Sequence, residues 1–258
     1  MIIQHSTGLK SFLILFLFIS PLLSIHIFPQ EVNLDLNLLN ESTLIEDVRP
    51  LTAAMGLFAG GVRGIGSIDR EMGSFNIGLF EIRMFILKGS KRGPFKGSSS
   101  FSLPFFQVNL AIFSNIEISG RFSAASLGGE HLILSGAVLK YAFSRRVSGF
   151  NPLFQIGIQD ISGPEDFRIK NLDFYIIALK DFNYLSTGFA VGTELSSLKL
   201  SLERGGKISS DRFEKVDASS IRLWIGVSKR MSRYISLEAG INFGRIVSAV
   251  NLGIAFNF

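Results

Sequence analysis

The feature that most constrains the fold is an alternation of two residue classes at every second position, which recurs along most of the chain. In the last segment, 246–258, one set of alternate positions is apolar and ends in aromatic residues, while the other contains mainly Ala, Gly and Asn. A period of two is typical of β-strands whose two faces meet different surroundings. The outward face of a soluble sandwich usually carries charged residues and Thr. Small residues on one face and bulky ones on the other instead favour a barrel wall whose exterior meets lipid.

This alternation predicts an all-β chain with about twelve strands, and about 10 to 14 as the range. Each is close to the roughly 9–11 residues that a tilted strand needs to cross a bilayer. The predicted strands lie at about 53–65, 74–87, 106–112, 116–122, 131–143, 154–159, 169–180, 184–195, 198–203, 221–228, 235–242 and 246–258.

The turns between these strands give conflicting information about the two ends of the barrel. Tight turns are predicted at 114–115 and 196–197, and longer connections at 89–100 and 205–219. Outer-membrane barrels have short periplasmic turns, longer outer loops and an even number of strands. If the last strand ends in the periplasm, segment 205–219 lies on the outer side of the membrane, as this rule requires. The same count places the tight turn at 114–115 on the outer side and the long segment 89–100 on the periplasmic side, which is the reverse of the rule. We therefore expect that one strand is miscounted.

The composition indicates that something other than water covers part of the surface. Hydrophobic residues make up 47% of the chain and charged residues 18%, whereas soluble domains have about 25% charged residues. No apolar run after the N-terminus is long enough for a membrane-spanning helix, so a closed sheet is the structure that could pair all backbone groups in lipid. The alternative is a soluble sandwich with the many Phe residues in its core.

Composition also excludes several functions. The chain contains no Cys, which excludes disulfides and thiolate metal sites. Its basic residues are scattered, without the basic aromatic-rich surface that nucleic-acid binding requires. We therefore expect no cofactor and no nucleic acid as a partner.

The N-terminal residues predict export. Residues 1–30 contain a polar stretch with one positive charge and then an apolar run, which is typical of a secretory signal peptide; the alternative is an uncleaved anchor helix. Residues 31–52 are acidic, and Ser42 could cap a short helix at 43–48 that Pro50 would end or kink. This helix could lie in the periplasm or plug the lumen, or the segment could be a disordered remnant. Residues 53–258 are predicted to form the transmembrane barrel.

The C-terminal strand resembles the targeting strand of Gram-negative outer-membrane proteins, in which alternating apolar residues end in a Phe that the assembly machinery recognises. The corresponding positions here are Leu252, Ile254, Phe256 and Phe258. This resemblance implies an outer-membrane location, with membrane lipid and the barrel assembly machinery as partners. The sequence does not determine the oligomeric state, and we favour a monomer. The stretch 44–123 is also similar in layout to uncharacterised barrel proteins. A more distant resemblance is to transport channels for hydrophobic substrates, whose N-terminal plug motif is not matched here.

Charged residues on the small-residue face are predicted to point into the lumen. In a narrow barrel they would pair and fill it, which we favour; in a wider one they would line a pore. Acidic and basic groups are nearly balanced, so strong ion selectivity is not expected. The lumen candidates are Glu81, Arg83, Glu117, Arg121, Lys199, Glu203, Arg222 and Glu238.

Three functions remain open at this point. The leading hypothesis is a channel or transport pore for small solutes or apolar compounds. The second is a structural or interaction barrel with a filled lumen that displays the loops 89–100 and 205–219. The third is a barrel hydrolase around His131, with Glu130 and Ser126 beside it. No known catalytic motif is present, and a solvated loop histidine is the simpler interpretation of His131, so we do not expect an enzyme.

Overall fold

The structure is a computed structural model that describes residues 44–64, 72–87, 100–127, 130–143, 146–163, 167–201 and 213–258. These residues form one helix, α1 (Leu44–Ala59), and ten strands. The strands are β1 (Phe75–Ile86), β2 (Ser100–Phe113), β3 (Ile116–Leu127), β4 (Glu130–Ala142), β5 (Asn151–Ser162), β6 (Arg168–Phe182), β7 (Leu185–Ser201), β8 (Phe213–Arg230), β9 (Ile235–Phe243) and β10 (Val247–Asn257). The predicted signal peptide at 1–30 lies outside the described residues.

The strands form a closed antiparallel barrel in which each strand pairs with its neighbours in the sequence. The first and last strands complete the wall, with pairs from Asn76–Asn257 to Ile86–Val247. Closure gives every strand a partner on both sides, so the wall has no free sheet edge along its length. The predicted closed barrel with one short helix is therefore confirmed.

The predicted number of about twelve strands is wrong, because the wall contains ten in the part of the chain that the structure describes. Residues 53–65 were assigned to a strand, but those that the structure describes, 53–64, belong to α1 and to the turn after it. The predicted turn at 196–197 is also absent: β7 continues through it, paired with β6 and β8 on both sides. The pair Ser196-Ser197 was predicted as a turn because Ser is common in turns. In the structure the hydroxyl of Ser196 instead donates to Asn171 Oδ1 on the neighbouring strand β6, at 2.8 Å.

Ten strands also resolve the conflict about the two ends. One end, which we call the tight-turn end, holds the two-residue turns 114–115 and 183–184 together with Phe75 and Phe258, where the wall begins and ends. At the other, loop-bearing end, β1 connects to β2 and β7 connects to β8. The long segments predicted at 89–100 and 205–219 therefore fall largely in connections at this same end; residues 88–99 and 202–212 lie outside the described residues.

Helix α1 lies inside the barrel and is buried on all sides from Pro50 to its end at Ala59. Val48, Leu51, Met55 and Leu57 are each 0% exposed, as expected for a helix that is apolar around its whole circumference. The helix continues past Pro50, where the sequence predicted an end or a kink. A proline inside a helix costs about 3 kcal/mol, and burying two or three such side chains at about 1.5–3 kcal/mol each offsets this cost.

The helix runs from the loop-bearing end to the tight-turn end. Its Gly56 lies against Ser196 and its Gly60 against Glu194, which is nearer to the tight-turn end of β7. At the opposite end of the helix, Glu46 and Arg49 are exposed. The start of the helix therefore opens at the loop-bearing end. No helix in the described residues is long and apolar enough to cross a membrane.

The outward face of the wall is apolar over its middle. Ile158 is 66% exposed, Ile176 is 62% exposed and Ile221 is 75% exposed. Aromatic residues border this belt at the tight-turn end, where Phe75 and Phe258 stack with their centroids 4.8 Å apart. A water-soluble wall would not expose such residues together, whereas a wall in contact with hydrocarbon would do so.

Candidate functional site

The lumen is divided into an apolar half and a polar half. Towards the loop-bearing end, α1 packs against apolar wall residues such as Met84, Phe101 and Leu198. Towards the tight-turn end, the wall presents buried amides and charged groups to the end of the helix and to residues 60–64. We call residues 44–64 the plug. The plug and the polar half of the wall together are the candidate functional site.

Four of the eight predicted lumen residues point inward. Glu117, Arg121 and Arg222 are at most 3% exposed, and Glu238 is 5% exposed. They lie on β3, β8 and β9, in the half of the wall that faces residues 59–64.

Three of the other predicted lumen residues do not point into the lumen. Glu81, Arg83 and Lys199 are exposed on the outward face, and Glu203 lies outside the described residues. The prediction assumed that small or polar residues face inward along the whole wall. In the apolar half the interior is occupied by a helix, so the inward positions next to these charges hold Ile82 and Leu198.

A cluster of wall side chains binds the backbone of the plug just after the helix. Arg121 donates to the carbonyl oxygens of Ala59, Gly60 and Gly61, at 3.1 Å in each case. These carbonyls are among those at a helix C-terminus that lack intrahelical donors and carry partial negative charge. A guanidinium with several donors is well matched to them.

Three further wall residues complete this cluster. Gln155 donates to the carbonyl of Gly61 at 3.2 Å. Lys140 Nζ donates to the carbonyls of Arg63 and Gly64, at 2.9 and 3.0 Å. The amide of Gly64 donates to Glu238 Oε2 at 3.0 Å. We call Arg121, Lys140, Gln155 and Glu238 the plug-binding cluster.

The plug also stabilises its own turn. Arg63 folds back and donates to the carbonyls of Leu57 at 3.0 Å and Phe58 at 2.7 Å. Its guanidinium lies 4.3 Å from the ring centroid of Phe105 on the wall. Gly61 and Gly64 have φ values of +74° and +65°, which favour glycine, and they allow the chain to turn at the end of the helix.

Ion pairs and hydrogen bonds neutralise the charges in the polar half. Lys140 pairs with Glu117 at 3.0 Å, and Arg222 Nε pairs with Glu194 at 2.9 Å. Asp173 accepts hydrogen bonds from two glutamines, at 3.0 and 2.7 Å. The buried basic residues of the polar half in the described chain are Arg63, Arg121, Lys140 and Arg222, and its buried acidic residues are Glu117, Asp173, Glu194 and Glu238. This balance is what burial of charge requires.

Four charged residues of the polar half were not among the predicted lumen residues: Arg63, Lys140, Asp173 and Glu194. Three of them lie on strands whose outward positions are mainly apolar: Lys140 on β4, Asp173 on β6 and Glu194 on β7. If the outward positions of each strand had been assigned consistently along its length, the sequence would have predicted that these three residues face inward. Arg63 could not be found in this way, because its segment was taken for a strand.

On one side of the plug, some wall groups have no hydrogen-bond partner. Within the described residues, the indole nitrogen of Trp224 and the amide oxygens of Asn242 and Asn251 are buried without a protein partner. These residues lie on β8, β9 and β10. Such groups need a hydrogen-bonding partner, and ordered water commonly supplies it in polar interiors.

The histidine considered for hydrolysis lies away from the lumen. The Nδ1 atom of His131 is 3.0 Å from the hydroxyl of Ser126, across the hairpin between β3 and β4 on the exposed face. The side chain of Glu130 lies outside the described residues. In the part of the chain that is described, no group of three or more His, Cys, Asp or Glu side chains could hold a metal ion.

Comparison with known proteins finds similarity in solved structures only. No family model matches the chain, and no curated protein matches it. The chain is similar to the N-terminal barrel domain of OprF from Pseudomonas aeruginosa, at 12% identity over 72% of this chain and 98% of that one, with a TM-score of 0.33. It is similar to the KdgM porin at 10% identity over 71% and 99%, with a TM-score of 0.38. It is also similar to an outer-membrane channel from Pseudomonas putida F1 at 8% identity over 77% and 100%, with a TM-score of 0.40. Similarities at these identities concern the barrel fold alone.

Proposed function

We propose that the chain is an outer-membrane β-barrel whose lumen is closed by its own N-terminal plug, and that it acts through its exposed surfaces as a structural or interaction protein. The observation that carries this proposal is the burial of α1 from Pro50 onwards. From Leu51 to Ala59 every residue of the helix is buried, and Leu51, Met55 and Leu57 are 0% exposed. A helix buried to this extent leaves no continuous aqueous path beside its apolar half.

The membrane location is supported by the exterior of the wall. Large apolar side chains point outward on every strand that the structure describes, for example Ile158, Ile221 and Leu252. Closure of the sheet supplies the backbone pairing that a lipid environment requires. Loops longer than the turns are typical of the outer side of such barrels, so we place the loop-bearing end outside the cell.

Single-channel recording in planar bilayers tests the closed lumen. Purified protein is first checked for heat-modifiable migration on gels, which shows that the barrel is closed. We expect insertion of the folded wild-type protein without a steady ionic current, because the plug fills the lumen. A steady current in most insertions would contradict the proposal.

A gated transport pore is the second candidate. It is supported by the buried, unpartnered polar atoms of Trp224, Asn242 and Asn251, which mark the side of the plug where water or a small solute could pass. If the barrel is a gated pore, removing donors of the plug-binding cluster with Arg121→Gln and Lys140→Gln should produce frequent openings. The control is Lys180→Gln with Lys229→Gln, which removes the same charge from the outward face. Equal behaviour of the two variants would exclude this candidate.

A further inference from the structure

A cluster of basic residues lies on the outward face of the wall near the loop-bearing end. Arg168 on β6 is directly opposite Lys199 on β7, which is directly opposite Lys215 on β8. Lys170 lies two residues further along β6, on the same face, and all four residues are exposed. We call Arg168, Lys170, Lys199 and Lys215 the outer basic cluster.

The outer basic cluster lies at the edge of the apolar belt. On β6, the outward positions after Lys170 are Leu172, Phe174 and Ile176; on β7, the last apolar outward residue before Lys199 is Leu195. Leu172 and Leu195 are opposite each other. Since a strand rises about 3.3 Å per residue, the basic groups begin about 7 Å beyond this last apolar pair. This is the level at which hydrocarbon gives way to lipid headgroups.

Lys199 lies between two like charges, Arg168 and Lys215, whereas Lys170 lies opposite Asp160. Directly opposed side chains in an antiparallel sheet have Cβ atoms about 4.5–5.5 Å apart, and like charges at this distance are destabilising. Asp160 pairs with Arg168, with Nε and Oδ2 2.9 Å apart, and Asp217 pairs with Lys215 at 3.0 Å. Within the described residues Lys170 and Lys199 have no ion pair, so four basic and two acidic groups leave a net charge of +2 on this patch.

The position and the charge together identify the class of ligand. A lipid phosphate is an anion with several acceptor oxygens, and it is held at the headgroup level by its own acyl chains. Basic residues at a membrane surface each contribute to the binding of anionic lipids, and the ammonium group of a lysine can donate hydrogen bonds to phosphate oxygens. The apolar residues below the cluster would contact the acyl chains of the same molecule.

We propose that the outer basic cluster binds the phosphate headgroup of an anionic lipid in the outer leaflet. This inference rests on the proposed membrane location, because the cluster meets headgroups only if the apolar belt lies in a bilayer. The anion lies between β6, β7 and β8, where it neutralises Lys199 and the remaining positive charge. It therefore anchors this side of the wall at the outer boundary of the membrane.

The test compares matched double variants of the full-length protein. One carries Lys199→Gln and Lys215→Gln; the control carries Lys180→Gln and Lys229→Gln on the outward face near the tight-turn end. Each folded protein is mixed with detergent-solubilised phosphatidic acid and phosphatidylcholine, and the lipid retained after gel filtration is quantified by mass spectrometry. We expect wild type and control to retain phosphatidic acid preferentially. The cluster variant should lose affinity for it by about 25-fold, from about fivefold for each lysine.

Three outcomes would overturn parts of this argument. The first comes from a vesicle flotation measurement. If the wild-type protein does not co-float with lipid vesicles in a density gradient, the membrane location is wrong, and the proposed function is wrong with it. If the protein inserts but the two double variants retain equal amounts of phosphatidic acid, the lipid site alone fails. If inorganic phosphate at equal concentration displaces the lipid, the cluster binds phosphate without regard to the acyl chains, and the assignment to a lipid is wrong.

Discussion

Replacing Arg121 with Met is expected to destabilise the closed barrel by about 3–5 kcal/mol, the usual cost of removing one partner from a buried charge network. The side chain is 3% exposed. It makes three hydrogen bonds to plug carbonyls, and its Nε donates to Gln107 at 3.0 Å. Methionine fills a similar volume, so the change removes charge and donors without a large cavity.

The magnitude follows from the hydrogen bonds that are lost. Hydrogen bonds to charged groups contribute about 1.5–3 kcal/mol each, and a buried acceptor left without a donor costs about 1–3 kcal/mol. The full sum over the bonds of Arg121 overestimates the loss, because the variant also avoids the cost of burying a guanidinium. The expected value therefore lies well below that sum. Arg121→Lys keeps the charge but supplies fewer aligned donors, so its loss should be smaller.

Urea unfolding in lipid vesicles, followed by heat-modifiable gel migration, measures this effect. The control is Arg230→Met on the exposed surface at the tight-turn end, which should change the free energy of unfolding by less than about 0.5 kcal/mol. If Arg121→Met lowers the free energy of unfolding by less than about 1 kcal/mol, the wall does not hold the plug through the backbone carbonyls of the plug.

Three other predictions follow from the position of the plug and the end of the wall. Because the chain has no Cys, single cysteines can be labelled in intact cells with an impermeant maleimide. Glu46→Cys should react like Lys215→Cys at the loop-bearing end, whereas Tyr184→Cys should react only after permeabilisation. Glu46→Cys that reacts like Tyr184→Cys would reverse the direction of the helix. Gly56→Leu should destabilise the barrel by about 1–3 kcal/mol in the same urea assay, because a Cβ atom at this position would lie 1.9 Å from Ser196 Oγ. The control is Gly120→Leu, because a Cβ atom at Gly120 would have no heavy atom within 4 Å. Phe258→Ala should lower the fraction of protein that becomes heat-modifiable during assembly more than Phe182→Ala does, and equal effects would contradict a signal at the last residue.

The barrel could be predicted from the sequence because its outward face follows a simple rule. Side chains that contact hydrocarbon must be apolar, and every described strand has large apolar side chains on its outward face. On β1 this outward apolar series stops at Leu79, before Glu81 and Arg83. The alternation of apolar residues indicated the approximate position of each strand. It also predicted which side chains of β10 point outward, among them Leu252 and Ile254. What lies inside the wall imposes no comparable rule, because a lumen can hold water, polar side chains or another element of the chain.

The errors have this common origin. Residues 53–65 are rich in Ala and Gly, which show little periodicity. The helical structure of residues 53–59 therefore depends on burial by the wall and could not be predicted from the local sequence. Ile82 and Leu198 face inward because the helix beside them is apolar. Their neighbours Glu81 and Lys199 were therefore assigned to the wrong face. The position of an element inside the barrel had to be known before the inner residues could be assigned.

The two halves of the lumen hold the plug by different interactions, and together they determine its position. A shift of α1 by one turn, about 5.4 Å, towards the tight-turn end would bring Phe58 into the polar half. The same shift would remove the carbonyls of residues 59–61 from Arg121. Neither half can therefore release the plug independently of the other.

This arrangement predicts how often a wild-type barrel opens. Opening would separate both Arg121 and Lys140 from the plug, at about 3–5 kcal/mol for each buried charge. A total of at least about 6 kcal/mol corresponds to an open fraction below about 1 in 10,000. In long bilayer recordings the wild-type protein should therefore conduct for less than this fraction of the time. A larger open fraction without any added ligand would show that the contacts between wall and plug are much weaker than their burial implies. Openings that require a ligand would instead identify a molecule that binds the open state about 10⁴-fold more tightly than the closed state.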